Sequence, residues 1–249
     1  MDNYIKKYIH VLSVSVFLLF GCDDGRKNEN AAAGSIKFAI SADYPPFTYY
    51  SDGNLTGLDI EFAQLLAKEL GKTAVFEDMQ FGAILLSVQD GAVDAAIGAI
   101  EPSEEKKKKC DFSDSYYNTG WALVYRKGST ATSLGQLAKS KVVYQNGSIG
   151  HRDLLREKAP LAELVAMDNM NAAIEALKAG QVDYILMDDV PAKKFCEKNA
   201  ELASSFVAES KVGYVIMLKK GSALRTRLNE AIKKLKSDGA LEKLMTKYI

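Results

Sequence analysis

The chain is short of the residues that build several common sites. Three cysteines and two histidines in 249 residues leave little room for a Cys/His zinc centre. A surplus of charge is missing too. The 32 basic side chains balance 32 acidic ones, which leaves no electrostatic footprint for nucleic acid. Long apolar runs are also lacking: residues 11–20 form a run of only ten, about 15 Å of helix against a bilayer core of ~30 Å. What is present is ordinary for a folded protein. With 47% hydrophobic and 26% charged residues, disorder is excluded as the main state, and the length suits one domain or two small cooperating ones.

The N-terminal end reads as a targeting segment. Lys6, Lys7 and His10 precede the apolar run, which is the order of a signal peptide. The run ends Leu19-Phe20-Gly21-Cys22 and resembles a bacterial lipobox, with Phe20 as a departure because a small residue is usual there. The resemblance implies a signal peptide over residues 1–21 and a lipid on Cys22. Asp23 after the cysteine resembles the signal for retention on the inner membrane in two-membrane bacteria. Residues 22–34 show no apolar periodicity and read as a flexible tether of order 20 Å. A lipidated cysteine with a tether holds a soluble domain at a membrane surface. Cys110 and Cys196 read as two isolated thiols.

Two later stretches share one grammar. Gln89-Asp90-Gly91-Ala92-Val93-Asp94 is followed by Ala95-Ala96-Ile97-Gly98-Ala99. Lys178-Ala179-Gly180-Gln181-Val182-Asp183 is followed by Tyr184-Ile185-Leu186-Met187-Asp188. Each reads as a helix closed by glycine, then x-Val-Asp, then a short apolar strand. The echo predicts two α/β lobes of about ninety residues on one plan. Strands are expected at residues 35–40, 74–77, 122–125, 141–144, 161–167 and 211–218. A helix is expected over 57–70, buried through Leu58, Phe62, Leu65, Leu66 and Leu70. A closing pair of helices over 224–249 breaks at Asp238-Gly239. In such sheets a ligand lies beyond the carboxyl ends of the strands, here in a cleft between the lobes.

Three constellations converge on that cleft. Asp43-Tyr44-Pro45-Pro46-Phe47 follows the first strand as a stiff aromatic loop, with Phe81 as a facing wall. Gln145-Asn146-Gly147-Ser148-Ile149-Gly150-His151 joins a strand to a helix whose free amides suit a carboxylate or phosphate; Ser148 as a plain helix cap is the alternative. It is neither a nucleophile elbow nor a P-loop. Asp188-Asp189 ends a strand and suits an ammonium group, one carboxylate facing the cleft and the other solvent. Metal binding is the rival use, but no companion ligands occur at metal spacing.

Taken in order, Tyr44-Pro45-Pro46-Phe47, Gly57-x-Asp59, Gly71, Phe81, Gly91-x-Val93-Asp94, Asp111-Phe112-Ser113-x-x-Tyr116, Gly180-x-Val182-Asp183, Asp188 and Lys236-x-Asp238-Gly239 resemble the family 3 solute-binding proteins. These deliver amino acids to ABC importers, and the resemblance covers residues 36–249. It implies an α/β, two-lobed periplasmic-binding-protein fold of the Venus-flytrap type. Lobe one would comprise residues 35–118 and 212–249 and lobe two residues 119–211, with hinge strands crossing near Tyr117-Trp121 and Ser210-Gly213. Carried over by position, Asp188 holds the ligand's α-ammonium, and Ser148 with the amides around Gly147 cradles its α-carboxylate. Tyr44 and Phe81 sandwich the side chain, and Ala99 offers a backbone contact.

Two departures bear on the ligand. The family's Ser/Thr-x-Thr-x-x-Arg reads Glu101-Pro102-Ser103-Glu104-Glu105-Lys106 here. Lys106 falls on the position of an arginine that clamps the α-carboxylate, and a point charge does not replace a planar fork. The alternative is that Lys106 belongs to a solvated basic run. Glu101 stands where a hydroxyl is usual and brings a second carboxylate to the pocket, to pair with Lys106 or to select a more cationic ligand. Ser41, where basic-amino-acid binders often have Asp, argues against Lys or Arg as ligand. The expectation is a monomeric binding lipoprotein, not an enzyme. It would need no cofactor or metal, and would close on an amino acid and dock on membrane permease subunits. A prephenate-dehydratase-like enzyme on this scaffold and a ligand-gated sensor are the alternatives.

Overall fold

The structure, a computed structural model, describes residues 34–249 except 130 and 132. The expected signal peptide, tether and Cys22 therefore lie outside the described residues, apart from Gly34. The chain begins with strand β1 (Ser35–Ile40), a small meander of β2 (Asp43–Tyr44), β3 (Thr48–Ser51) and β4 (Asn54–Thr56), and helix α1 (Leu58–Glu69). Next come β5 (Thr73–Asp78), α2 (Phe81–Asp90), β6 (Ala95–Ala96), α3 (Glu104–Lys109) and β7 (Cys110–Phe112). The middle of the chain gives β8 (Tyr117–Arg126), β9 (Lys141–Gln145), α4 (Ile149–Lys158), β10 (Glu163–Met167), α5 (Met170–Lys178), β11 (Tyr184–Asp188), α6 (Asp189–Lys198) and β12 (Leu202–Tyr214). It closes with β13 (Met217–Lys219), α7 (Leu224–Ser237) and α8 (Ala240–Tyr248).

The strands sort into two five-stranded sheets of one design. Lobe one has the order β5-β1-β6-β13-β7 and lobe two the order β10-β9-β11-β8-β12. In each, the first three strands run parallel and an antiparallel strand joins the third. Apolar runs such as Tyr184 to Met187 and Phe38 to Ile40 fit sheets covered by helices on both faces. Helix α1 buries Leu58, Phe62 and Leu66 completely, while Leu65 and Leu70 are only partly covered. Gly57 before it is obligatory: its φ is 129°, and a Cβ there would stand 2.1 Å from the Phe47 carbonyl oxygen.

One expected element divides. Residues 211–218 do not form one strand; β12 ends at Tyr214 in lobe two's sheet and β13 starts at Met217 in lobe one's. A run of apolar residues marks extended chain, but not which sheet receives it. The strand expected over residues 122–125 is longer, because β8 also carries the crossing between lobes. There β8 pairs antiparallel with β12, with register shifts between Phe206 and Ala208 and between Glu209 and Gly213. Such irregularities bend paired strands.

Candidate functional site

A nearly closed cavity of about 20 Å³ lies between the lobes. Lobe one supplies Tyr44, Phe81, Ala99, Glu101 and Lys106; lobe two supplies Ser148, His151 and Asp188. Seven of the eight predicted cleft residues thus share one wall-to-wall space. The eighth, Gly147, lines an adjoining space of about 180 Å³ that also touches Phe81, Lys106 and Ser148. Gly147 has φ 87°, and a Cβ on it would lie 2.9 Å from the Gly82 Cα across the cleft. The backbones of the two lobes meet there.

Asp188 is the hub. It ends β11, is buried, and its Oδ2 accepts the hydroxyls of Tyr44 at 2.9 Å and Tyr214 at 2.8 Å. Its Oδ1 faces His151 Nε2 at 3.2 Å, and its own N–H donates to the Tyr44 oxygen. Burial and then the Asp188 charge push both tyrosine hydroxyls well above their usual range, so they remain donors. The neighbouring Asp189 carboxylate instead accepts the Gly120 N–H at 3.3 Å beside the crossing strands. This splits the pair as expected for adjacent residues at a strand end.

His151 sits one turn into α4, with Nδ1 2.6 Å from Ser148 Oγ. Burial lowers its proton affinity, but Asp188 and Glu101 outweigh this and the net shift is upward. Glu101 is pushed up to about 7 by burial and by Asp188; its carboxylate takes the Ser210 hydroxyl and lies against Gly150. Lys106 is buried rather than part of a solvated basic run. Its Nζ donates to the Glu101 carbonyl at 3.3 Å and stands 5.3 Å from the Phe81 ring centre. Burial brings it down to about 8, against the pull of Glu101, Glu105 and Asp188.

Glu101, His151 and Asp188 place ligand-type atoms within 4.8 Å of one another. Sequence spacing could not show this, since three separate elements supply them. In donor type they suit a small divalent cation, but Asp188 already accepts the Tyr44 and Tyr214 hydroxyls, and the buried Lys106 lines the same cavity. The mixture of carboxylates, a buried ammonium and aromatic walls is better matched to a zwitterion.

Three participants were not foreseen as such. Asp43, buried on lobe one, accepts the Met170 N–H of α5 at 2.7 Å and the Gln145 amide at 3.3 Å, both on lobe two. It also takes the Ser41 hydroxyl at 2.9 Å. His151 and Tyr214 are the others. Phe47, in the same stiff loop, plugs the core instead, with ring centres 5.0 Å from Tyr214 and 5.4 Å from Tyr117. In the turn before α4, the Ser148 and Ile149 amides already donate to Gln145 and Gly147 carbonyls. Any cradle for an anion there therefore rests on other groups.

Comparison with known proteins follows the same geometry. The chain is 31% identical to the ABC transporter glutamine-binding protein GlnH of Bacillus subtilis, over 98% of each chain. It is 29% identical to the arginine-binding extracellular protein ArtP of the same organism, again over 98% of each. An ancestral arginine-binding protein bound to glutamine superposes with a TM-score of 0.83 at 32% identity, covering 87% of this chain and 98% of that one. The family described as "Bacterial extracellular solute-binding proteins, family 3" matches residues 36–249. Two sheets of one plan around a polar interlobe cleft are what that family builds on, and this chain belongs to it.

Proposed function

We propose that the protein is the substrate receptor of an ABC importer, capturing an amino acid in the interlobe cleft and presenting it to membrane permease subunits. One observation carries the reading: the two lobes bring Tyr44, Phe81, Ala99 and Lys106 to one side of a cavity and Ser148 and Asp188 to the other. Asp188 takes the α-ammonium, Lys106 and Ser148 the α-carboxylate, and Tyr44 and Phe81 the side chain. Closure follows from the ligand's preference for the form in which both sets meet. GlnH and ArtP, named as glutamine- and arginine-binding, support this class of ligand. All these groups come from one chain, so a monomer suffices. Residues 35–118 with 212–249, and 119–211, are the bodies that move. Residues 1–21 direct export, Cys22 carries the lipid, and residues 22–34 tether the receptor outside the cytoplasmic membrane.

A thermal-shift screen of the purified protein against the twenty L-amino acids, polyamines and prephenate-like acids tests this. A ligand at a hundred times its dissociation constant adds about 2.7 kcal/mol, a visible rise. One amino acid or a small chemical group of them should raise the melting point. A response only to polyamines or prephenate-like acids would overturn the reading.

A further inference from the structure

We infer that His151 is a positioning residue, a built-in cation that holds the Asp188 carboxylate until an amino acid's ammonium replaces it, so that capture releases a proton. The inference rests on the assignment of Asp188 to the ligand's ammonium group. A carboxylate offers about four lone-pair directions. In the closed cleft the Tyr44 and Tyr214 hydroxyls take two on Oδ2 and His151 Nε2 takes one on Oδ1. Room remains for an arriving N–H, but not for a second full positive charge beside the first in so buried a place.

The proton count follows from the two ring nitrogens. In the free protein both carry hydrogen: Nε2–H faces Asp188, and Nδ1–H faces Ser148 Oγ at 2.6 Å. When an ammonium group reaches Asp188, the Nε2 proton passes to solvent. The neutral ring keeps Nδ1–H on Ser148, and its Nε2 lone pair accepts from the ammonium. His151 thereby links the residues assigned to the two ends of the ligand. The charged groups facing it are Asp188 from β11, Glu101 from the loop after β6, and Lys106 from α3. The Trp121 ring from β8 closes the remaining side, 5.6 Å away between centres. Asp188 and Glu101 favour the charged ring and Lys106 opposes it. An added ammonium opposes it further.

Calorimetric titration with each of the twenty L-amino acids, at pH 6.5 in phosphate and in bis-Tris, measures the proton directly. Those that bind should release a proton, the fraction growing toward one as the pH is lowered, and affinity should fall with falling pH. That pKa lies above 6.5. His151→Gln should abolish the release and flatten the pH profile. Binding without proton release, or release that survives His151→Gln, overturns the inference and leaves the amino-acid reading standing. No binding by any of the twenty from pH 5.5 to 8.5 overturns both. Should His151→Gln not fold, NMR of the wild-type rings decides, since only His10 and His151 contribute signals. The His151 resonance must move from the charged to the neutral Nδ1–H form on adding a binding amino acid; an unchanged charged ring overturns the inference.

Discussion

The two x-Val-Asp phrases do the same work in the two lobes and then part. Gly91 and Gly180 each end a helix in the left-handed region, at φ 76° and 74°. Val93 and Val182 are buried. Asp94 accepts the Lys37 N–H and Asp183 the Lys141 N–H, both at 2.8 Å, and each aspartate donates its own N–H to the same lysine's carbonyl. Five residues further on, the equivalent positions are Ala99 and Asp188. In lobe one, β6 stops after two residues and Ala99 turns at φ 50°, its N–H held by Asp59 Oδ2 at 2.8 Å. In lobe two, β11 continues for five residues and delivers a buried carboxylate. The shared phrase seats the sheet; where its strand stops decides what that lobe offers a ligand.

The comparison breaks most visibly at its diverging end. Asp188→Ala should weaken any binding amino acid more than a hundredfold by calorimetry, because the ammonium loses its counter-charge. Ala99→Gly, at the matching position, should change affinity only a few-fold, since a backbone contact does not need the methyl group. Near-normal affinity in Asp188→Ala would remove that residue from the ammonium site.

Asp59 sharpens the lobe-one half. Burial outweighs its bond to Ala99 and lifts it from 3.8 to about 7. The native state therefore binds a proton that the unfolded chain has already lost between those values. Its contribution to stability falls as pH rises through this window and levels off above it. Glu101 acts in the same direction. Between pH 5 and 7 the Asp59 share is roughly 2 kcal/mol. Denaturant titrations at both pH values should show a smaller loss in Asp59→Asn than in wild type, and equal losses would count against this account.

Asp43 tests whether the lobes are joined by more than the ligand. Its bonds to Met170 and Gln145 cross the cleft, so they exist only when it is shut. Asp43→Ala should weaken binding about tenfold, the value of one charge-assisted bond to a helix N-terminus, with little change in the unliganded melting point. A large fall in that melting point without loss of affinity would make Asp43 a fold residue instead.

Much of this was legible in the chain. The strands that follow helix-ending glycines and the helix pair broken at Asp238-Gly239 rest on local pattern, whereas the gathering of Tyr44, Phe81, Lys106, Ser148 and Asp188 rests on the resemblance to the family's motifs. Asp43 was visible beside Tyr44, but its partner, a helix start on the other lobe, is set only by closure. His151 lies in the segment from Gln145 that joins β9 to α4; its hold on Asp188 depends on the pitch of α4 against β11, which no spacing conveys. The split between β12 and β13 is hidden in the pattern because one apolar run serves two sheets.

The smallest expected effect concerns the shared anchors themselves. If Asp94 and Asp183 differed only in place, Asp94→Ala and Asp183→Ala would cost the same, about 1 kcal/mol for one bond to a backbone N–H. They are not quite alike. Asp183 also stands 3.7 Å from the Arg126 guanidinium, which donates to the carbonyls of Leu177 and Val182 and so grips the turn before the aspartate. Removing Asp183 should therefore cost a few tenths of a kcal/mol more, in line with a half-exposed ion pair, and added salt should erase that excess. Paired urea titrations of the two variants at low and high salt measure it. An excess that persists in high salt would place the difference in packing around β11 rather than in charge.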